Sequence, residues 1–436
     1  MTTPVEETAA PDDDAVPADD GIATRDLEAV VPAEIIAQTL PEYVRAWVAR
    51  TRSGDTGILP VIAGLILIAM IFQILNANFL NAGNLVNLLV QGSVFMLLAM
   101  AEVFVLLLGE IDLSAGFVAG VAGVIAAELL TAQHGGWPWY AACLAALVVT
   151  AAIGVFQGSL ITRIGLPSFV VTLAGLLGFQ GVMLLILGSG GTLPIQDDVV
   201  NNFANGNLTP TGSWAVAGAV VGVYAIATLL RDGRRRASGL VAPPRSITWL
   251  KIAAATVVAF VVTLVCNTNR GVLAPIRGIP WVVLIVLGVC TMWTLLLGRT
   301  RFGRYVYAIG GNAEAARRAG IRLARVRTAC FALSSLTAGI AGIVYASRLR
   351  SVSTNLDGGT LVLYAVAAAV IGGTSLFGGR GRMVHAVAGG LVVAAIDNGM
   401  SLQGFSAASK YIVTAIVLLV AVSIDALARR GNAARA

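Results

Sequence analysis

Residues 84–109 read NLVNLLVQGSVFMLLAMAEVFVLLLG, and residues 110–131 continue as EIDLSAGFVAGVAGVIAAELLT. The first stretch carries a single charged side chain, Glu102, in 26 residues. A hydrocarbon core about 30 Å thick is crossed by roughly 20 apolar residues in a helix. The first stretch meets that length and the second nearly does, with Glu110 and Asp112 at the break between them.

The same pattern recurs along the chain. Twelve apolar runs are found, at 57–75, 84–109, 113–131, 138–162, 166–187, 213–230, 249–266, 279–297, 326–347, 360–376, 383–400 and 410–428. Runs 113–131 and 360–376 are the weakest, being short or interrupted by glycine. Composition agrees. The 436 residues are 57% hydrophobic and 12% charged, whereas a soluble domain carries about a quarter charged residues. So few charges cannot cover a water-facing surface of this size. The 49 glycines fit membrane helices, whose backbones approach closely through small residues. The expected fold is an all-α polytopic membrane protein with about 10–12 transmembrane helices.

Four scattered cysteines (Cys143, Cys266, Cys290, Cys330) lie in or beside apolar runs without metal-ligand spacing and read as small buried residues. The two histidines, His134 and His385, are far apart. A metal site is not expected, and no nucleophile–base constellation marks a membrane enzyme. No GxxxxGK[ST] sequence occurs, so the chain does not bind ATP in the P-loop manner.

Residues 1–56 form an acidic tail. Positions 1–28 hold nine acids and one base, Arg25, and read as disordered. No basic region precedes an apolar core, so the tail does not read as a signal peptide. Residues 33–49 read as an amphipathic helix or as loop. The basic residues set the topology. With both termini in the cytoplasm, the inner side collects 24 of the 29 Lys and Arg, leaving Arg270, Arg277, Arg348, Arg350 and Lys410 outside. The positive-inside rule selects that orientation. The bases sit in short loops between spans and do not indicate nucleic acid.

Five segments carry candidate function. Gly109–Gly116 places Glu110 and Asp112 within a membrane run, where acids are costly and often functional; it reads equally as a polar turn in which Asp112 and Ser114 cap the next helix. In 165–175, Pro167 suits a helix start, and Ser168 and Thr172 share a face at i, i+4. A stripe of Thr172, Gly175 and Phe179 faces either a pore or a packed neighbour. In 308–321, Asn312 suits an N-cap, Glu314 and Arg317–Arg318 complement a helix dipole, and Gly320 suits a stop. This is a short helix of about two turns, either a lever for a partner or a surface helix without one. Ile371–Gly381 is a Gly-rich stretch, with Thr374, that can open at a helix end and line a cavity. Asp397–Asn398 lies near the outer end of the eleventh run.

Taken together, these segments resemble the permease subunits of carbohydrate-uptake ABC transporters of the ribose/xylose/arabinose/galactose type. The carriers are Gly-Glu-Ile-Asp-Leu-Ser (109–114), Pro-Ser-Phe-Val-Val-Thr-Leu (167–173), Tyr-Ala-Ile-Gly-Gly-Asn-Ala-Glu-Ala-Ala-Arg (307–317), Ile-Gly-Gly-Thr-Ser-Leu (371–376) and Asp-Asn-Gly-Met (397–400). The resemblance covers roughly 57–430. Glu110, and an insertion with Arg234–Arg236 and Gly239-Leu240 ahead of Pro243-Pro244, are most similar to xylose permeases. The acidic tail goes beyond the family pattern.

The resemblance implies a permease domain over 57–430 with a cytoplasmic coupling loop at 298–327. It implies import of a monosaccharide, xylose or a related pentose, across the bacterial inner membrane by alternating access. The implied partners are an ATP-binding cassette subunit, a periplasmic or lipid-anchored sugar-binding protein, and a second permease copy, within membrane lipid. ATP and Mg would be used by the partner ATPase, with no cofactor on this chain. Gly311, Asn312, Glu314, Ala315, Ala316, Arg317 and Gly320 would form the ATPase-coupling segment. Glu110, Asp112, Ser114, Ser168, Phe169, Thr172, Thr374, Asp397 and Asn398 are the candidates for the translocation path or its gating. The rival reading is an ion-coupled secondary sugar transporter using Glu102, Asp112 and Glu128 as proton relays.

Overall fold

The computed structural model describes residues 41–42, 45, 58–132, 136–239 and 242–433. The acidic segment 1–28 lies outside the described residues. Of the amphipathic stretch 33–49, only residues 41, 42 and 45 are described, all helical.

In chain order the helices are α1 (Leu59–Leu75), α2 (Ala82–Leu106), α3 (Ala115–Leu130), α4 (Trp139–Ser159, continued by a π-turn over Leu160–Ile164) and α5 (Ser168–Leu187). Next come strand β1 (Thr192–Pro194), α6 (Asp198–Asn205), α7 (Pro210–Ala237), α8 (Arg245–Asn267) and α9 (Trp281–Arg299). They are followed by α10 (Arg301–Gly311), α11 (Ala313–Arg318), α12 (Leu323–Leu349), strand β2 (Ser351–Ser353), α13 (Gly358–Ile371), α14 (Met383–Leu402) and α15 (Ala407–Ala433). Each of the twelve expected runs falls on one helix. Among the described residues, eight helices are long and apolar enough to cross a membrane, while α1, α3, α13 and the apolar part of α15 (Ala407–Val417) are shorter. At 1.5 Å per residue, α3 and α13 are roughly 20–25 Å long, less than a bilayer core. Both are nearly enclosed by protein, where a helix end inside the membrane keeps its backbone groups away from lipid.

The described residues fall into two units whose boundary runs through α7 and α8. In the first, which holds 221–256, the end of α7 and the start of α8 share the buried Asp232. It accepts a 2.8 Å hydrogen bond from the Thr248 hydroxyl and pairs with Arg231 at 3.2 Å. Arg234, Arg235 and Arg236 remain exposed, and Arg236 donates to the Pro243 carbonyl at 2.8 Å.

The second unit, 58–220 with 257–433, holds the core. Two helix triplets, α2–α3–α4 and α12–α13–α14, have matching packing. Helix α2 lies against α14 as α12 lies against α4, α2 against α13 as α12 against α3, and α3 against α4 as α13 against α14. The pairs α2–α12 and α3–α13 also touch. Exchanging the triplets therefore reproduces the contact pattern, which is the mark of an internal repeat. The helices meet at very short range. A Cβ on Gly116 of α3 would come within 1.9 Å of the Gly358 carbonyl oxygen of α13, and one on Gly342 of α12 within 1.9 Å of the Ala119 carbonyl oxygen of α3.

The Gly-, Asn- and Thr-rich segment 188–212 contains β1 and α6. Strand β1 pairs antiparallel with β2 in the register Thr192↔Ser353, Leu193↔Val352, Pro194↔Ser351. Asp197 caps α6 by accepting from the Val200 N–H at 2.9 Å, and Ser347 of α12 donates to the Asn201 carbonyl at 3.1 Å. Three-residue strands and an eight-residue helix give too little periodicity to be read from sequence.

Because the Gly116–Gly358 approach leaves no room for a methyl group, Gly116→Ala is expected to destabilise the folded protein by about 1–3 kcal/mol. Gly178→Ala, where nothing lies within 4 Å of the added carbon, should be near neutral. Thermal unfolding of both variants in detergent checks this.

Candidate functional site

Helix α2 ends at Leu106, and the chain then makes a tight turn before α3 starts at Ala115. Gly109 takes φ +77° there, a left-handed conformation open to glycine at little cost. The turn thereby delivers Glu110 and Asp112 into the interior, where they are 6% and 0% exposed. Asp112 accepts from the Ser114 N–H at 2.9 Å and from the Ser114 hydroxyl at 2.6 Å. The Ser334 hydroxyl of α12 reaches it at 3.4 Å. Gln157 of α4 donates to the Ser114 hydroxyl at 2.9 Å. Thr172 of α5 donates to the Ile111 carbonyl at 3.2 Å and to the Ser168 carbonyl at 2.9 Å. One turn of chain thus gathers polar groups from α4, α5 and α12.

Charge balance comes from Arg327, in the first turn of α12. Its Nε lies 2.7 Å from the Glu110 carboxylate. Glu102, in α2, is fully buried, and among the described residues neither carboxylate oxygen has a side-chain hydrogen-bond partner.

The candidates from sequence divide as follows. Glu110, Asp112, Ser114, Ser168 and Thr172 come together at this turn. Phe169 does not: it lies on the outer face of α5, 53% exposed. A one-residue step along a helix turns a side chain about 100°, which swings Phe169 away from Ser168 and onto the exposed flank of α5. Ser114 was expected to cap α3 but makes no side-chain cap bond; its hydroxyl is spent on Asp112. Thr374 is buried in the Gly-rich turn after α13, and its hydroxyl has no partner among the described residues. The backbone of that turn packs, at Gly378 and Gly379, against the ends of α2 and α10.

Asp397 and Asn398 belong to a separate group at the far end of α14. Asn398 and Asn84 exchange amide hydrogen bonds of 2.8 and 3.0 Å. Gln91 donates to Asp397, and Lys410 of α15 lies 3.5 Å from it. Gln157, Arg327, Ser334, Asn84, Gln91 and Lys410 were not singled out from sequence. Arg327 and Ser334 lie at i, i+7, on one face of α12, and that spacing was the available signal.

The predicted coupling segment is a built structure. Asn312 caps α11 by accepting from the Ala315 N–H at 2.9 Å. Glu314 pairs with Arg317 at 2.7 Å and with Arg318 at 3.1 Å. Ala316 is 4% exposed and belongs to the same core cluster as α2, α12 and α14. Gly320, at φ +82°, ends the helix, and the Ile321 N–H closes on the Ala316 carbonyl at 3.1 Å. Gly311 lies at the open end of α10 with no atom near its α-carbon face. One face of α11 is therefore anchored, and the other presents an acid and two arginines to solvent.

Removing one partner of a buried ion pair strands the other. Arg327 is about a third exposed, so Arg327→Ala is expected to cost about 1–3 kcal/mol, less than for a fully buried pair. Adding Glu110→Gln to that variant should recover part of the loss. A double-mutant cycle of thermal unfolding in nanodiscs measures it, and equal losses with no recovery would contradict the pairing.

The chain matches, over residues 84–422, the family model described as branched-chain amino acid transport system / permease component. It is 35% identical to the xylose transport system permease protein XylH of Escherichia coli (strain K12) over 382 residues, 87% of this chain and 94% of that protein. It is 34% identical to the xylose transport system permease protein of Haemophilus influenzae, covering 84% of this chain and 94% of that one. It is 30% identical to the ribose import permease protein RbsC of Escherichia coli (strain K12), covering 88% and 95%. No solved structure shows significant similarity. With both the repeat core and the capped helix α11 inside the matched region, the chain belongs to this permease-component family of multi-pass, all-α membrane proteins.

Proposed function

We propose that the chain is the membrane-spanning subunit of an ATP-driven importer that moves a monosaccharide, xylose or a related pentose, across the bacterial inner membrane. The observation that carries this reading is α11. It is a short helix with both ends capped, anchored through Ala316, in the loop that the positive-inside rule assigns to the cytoplasm. Such a helix suits a cleft in a partner protein and passes the partner's motion inward. The partner would be an ATP-binding cassette subunit, which uses the ATP and Mg. The relatives named for xylose and ribose transport support a pentose cargo.

In this reading a loaded sugar-binding protein delivers the solute to the outer side, and two permease copies form the passage in the bilayer. The solute is neutral, so it needs hydroxyl and amide partners along its way and no fixed counter-charge. In the state described, Ser114, Gln157 and Thr172 at the inner turn and Asn84, Gln91 and Asn398 at the outer end of α2 and α14 bond to protein; in this reading they meet the solute only when the packing opens during the cycle. Import is coupled only if the inward-open and outward-open states differ in affinity for nucleotide and for the binding protein. Covalent chemistry on the sugar is not part of this cycle.

Glu314→Ala breaks only exposed i, i+3 and i, i+4 pairs, so it should cost less than about 1 kcal/mol of stability. Inserting one residue before Gly320 rotates the far end of the segment by roughly 100°. Both variants are expected to reach the membrane yet lose uptake of radiolabelled pentose in vesicles supplied with the ATPase and the binding protein. Full uptake together with full ATPase co-purification would reject the docking role. Accumulation of sugar by this chain alone, driven by a proton gradient, would favour the ion-coupled reading.

A further inference from the structure

Three stretches far apart in sequence meet at the inner end of α2, and they meet through glycine. A Cβ on Gly310, one residue before the end of α10, would come within 1.8 Å of the Leu107 carbonyl oxygen and 2.5 Å of the Gly379 nitrogen. A Cβ on Gly378 would lie 2.8 Å from the Gly310 carbonyl oxygen and 3.0 Å from the Gly109 nitrogen. The Gly379 N–H donates to the Leu107 carbonyl at 2.9 Å. One turn before Gly310, the Tyr307 hydroxyl donates to the Gly381 carbonyl at 2.8 Å. The end of α2, the end of α10 and the turn between α13 and α14 are thus clasped backbone to backbone.

The position of this clasp gives it a consequence. Gly310 is followed after one residue by Asn312, the cap of α11. Leu107–Gly109 is followed at once by Glu110 and Asp112, whose partners lie on α4 and α12. A contact through side chains yields by rotamer changes. A contact through main-chain atoms at van der Waals range has no such freedom, and close-packed interiors transmit displacement without absorbing it.

Building on the function proposed above, we infer that the glycine clasp is the joint that carries the stroke of α11 to the Glu110–Arg327 pair, with Gly310 its positioning residue. Displacement of α11 by the ATPase moves α10, the clasp and the 107–114 turn as one body. The Glu110–Arg327 pair and the Asp112 network then shift relative to α12 and α4. A methyl group at Gly310 forces α10 away from Leu107, so α11 still docks but no longer drives the turn.

The experiment measures ATP hydrolysis and pentose uptake in the same proteoliposomes, with the complete complex. Gly310→Ala is expected to keep hydrolysis within about twofold while sugar imported per ATP falls about tenfold, within the usual span of coupling energies. Gly288→Ala, in α9, is the control: its added carbon meets nothing within 4 Å, and the ratio should stay at the wild-type value. Tyr307→Phe removes one hydrogen bond of the same clasp and should lower the ratio by a smaller factor; it decides the matter if Gly310→Ala fails to reach the membrane. Wild-type ratios in both clasp variants, equal loss of hydrolysis and uptake in Gly310→Ala, or the same uncoupling in Gly288→Ala would each overturn the joint. A wild-type complex without ATP-driven uptake would sink the functional reading and the joint with it, whereas a coupled wild type with coupled variants sinks the joint alone.

Discussion

Helices in hydrocarbon gain little by hiding apolar surface from lipid, because lipid is equally apolar; they hold together by close approach. This chain meets that constraint with glycine. Gly116 against Gly358 and Gly342 against Ala119 bring main chain to main chain at separations no other residue permits. These contacts hold α3 and α13, both too short to cross the bilayer, inside the protein. Their ends lie at membrane depth, which is tolerated where protein and not lipid surrounds the freed backbone. The inner turn at 107–114 is one such place, so its carboxylates follow from the packing rather than standing apart from it.

The carboxylates are unusual in number. Glu102, Glu110 and Asp112 are all buried, and Arg327 is the basic residue seen to pair with one of them. Asp112 is held by hydroxyls and a main-chain N–H, whereas Glu102 has no side-chain hydrogen-bond partner among the described residues. Burying such groups costs stability unless they are fully partnered. An apolar turn would pack as well, so the arrangement fits a junction that must break and re-form. The outer group at Asp397 differs in kind: Lys410, Gln91 and the Asn84–Asn398 pair satisfy it from neighbouring helices, as expected for groups fastening α2, α14 and α15 together.

Much of this was legible before any coordinates. Hydrophobic run length located every long helix, since the bilayer imposes one length scale on all of them. The cap at Asn312 and the stop at Gly320 were readable because both act within one turn of chain. Other features were not. Phe169 sits in the same motif as Thr172, but motif membership says nothing about which way a helix faces. Gln157, Arg327 and Ser334 lie 43, 217 and 222 residues from Ser114, Glu110 and Asp112 respectively, and no local pattern links residues so far apart. The Gly-rich stretch 371–381 was read as backbone able to open and line a cavity, and its close packing at Gly378 and Gly379 was not legible, since glycine marks both open backbone and close packing. Only the neighbours distinguish the two.

That ambiguity of glycine bears on how movement passes through the molecule. A Cβ added at Gly311 would meet nothing within 4 Å, whereas one at Gly310 would strike the Leu107 carbonyl. The two stand side by side at the end of α10, one turned to open space and the other held against main chain. A glycine against another backbone stiffens the junction it belongs to, because close-packed main chain has no rotamer to yield. Adjacent residues of one type thus differ in what they do because their surroundings differ.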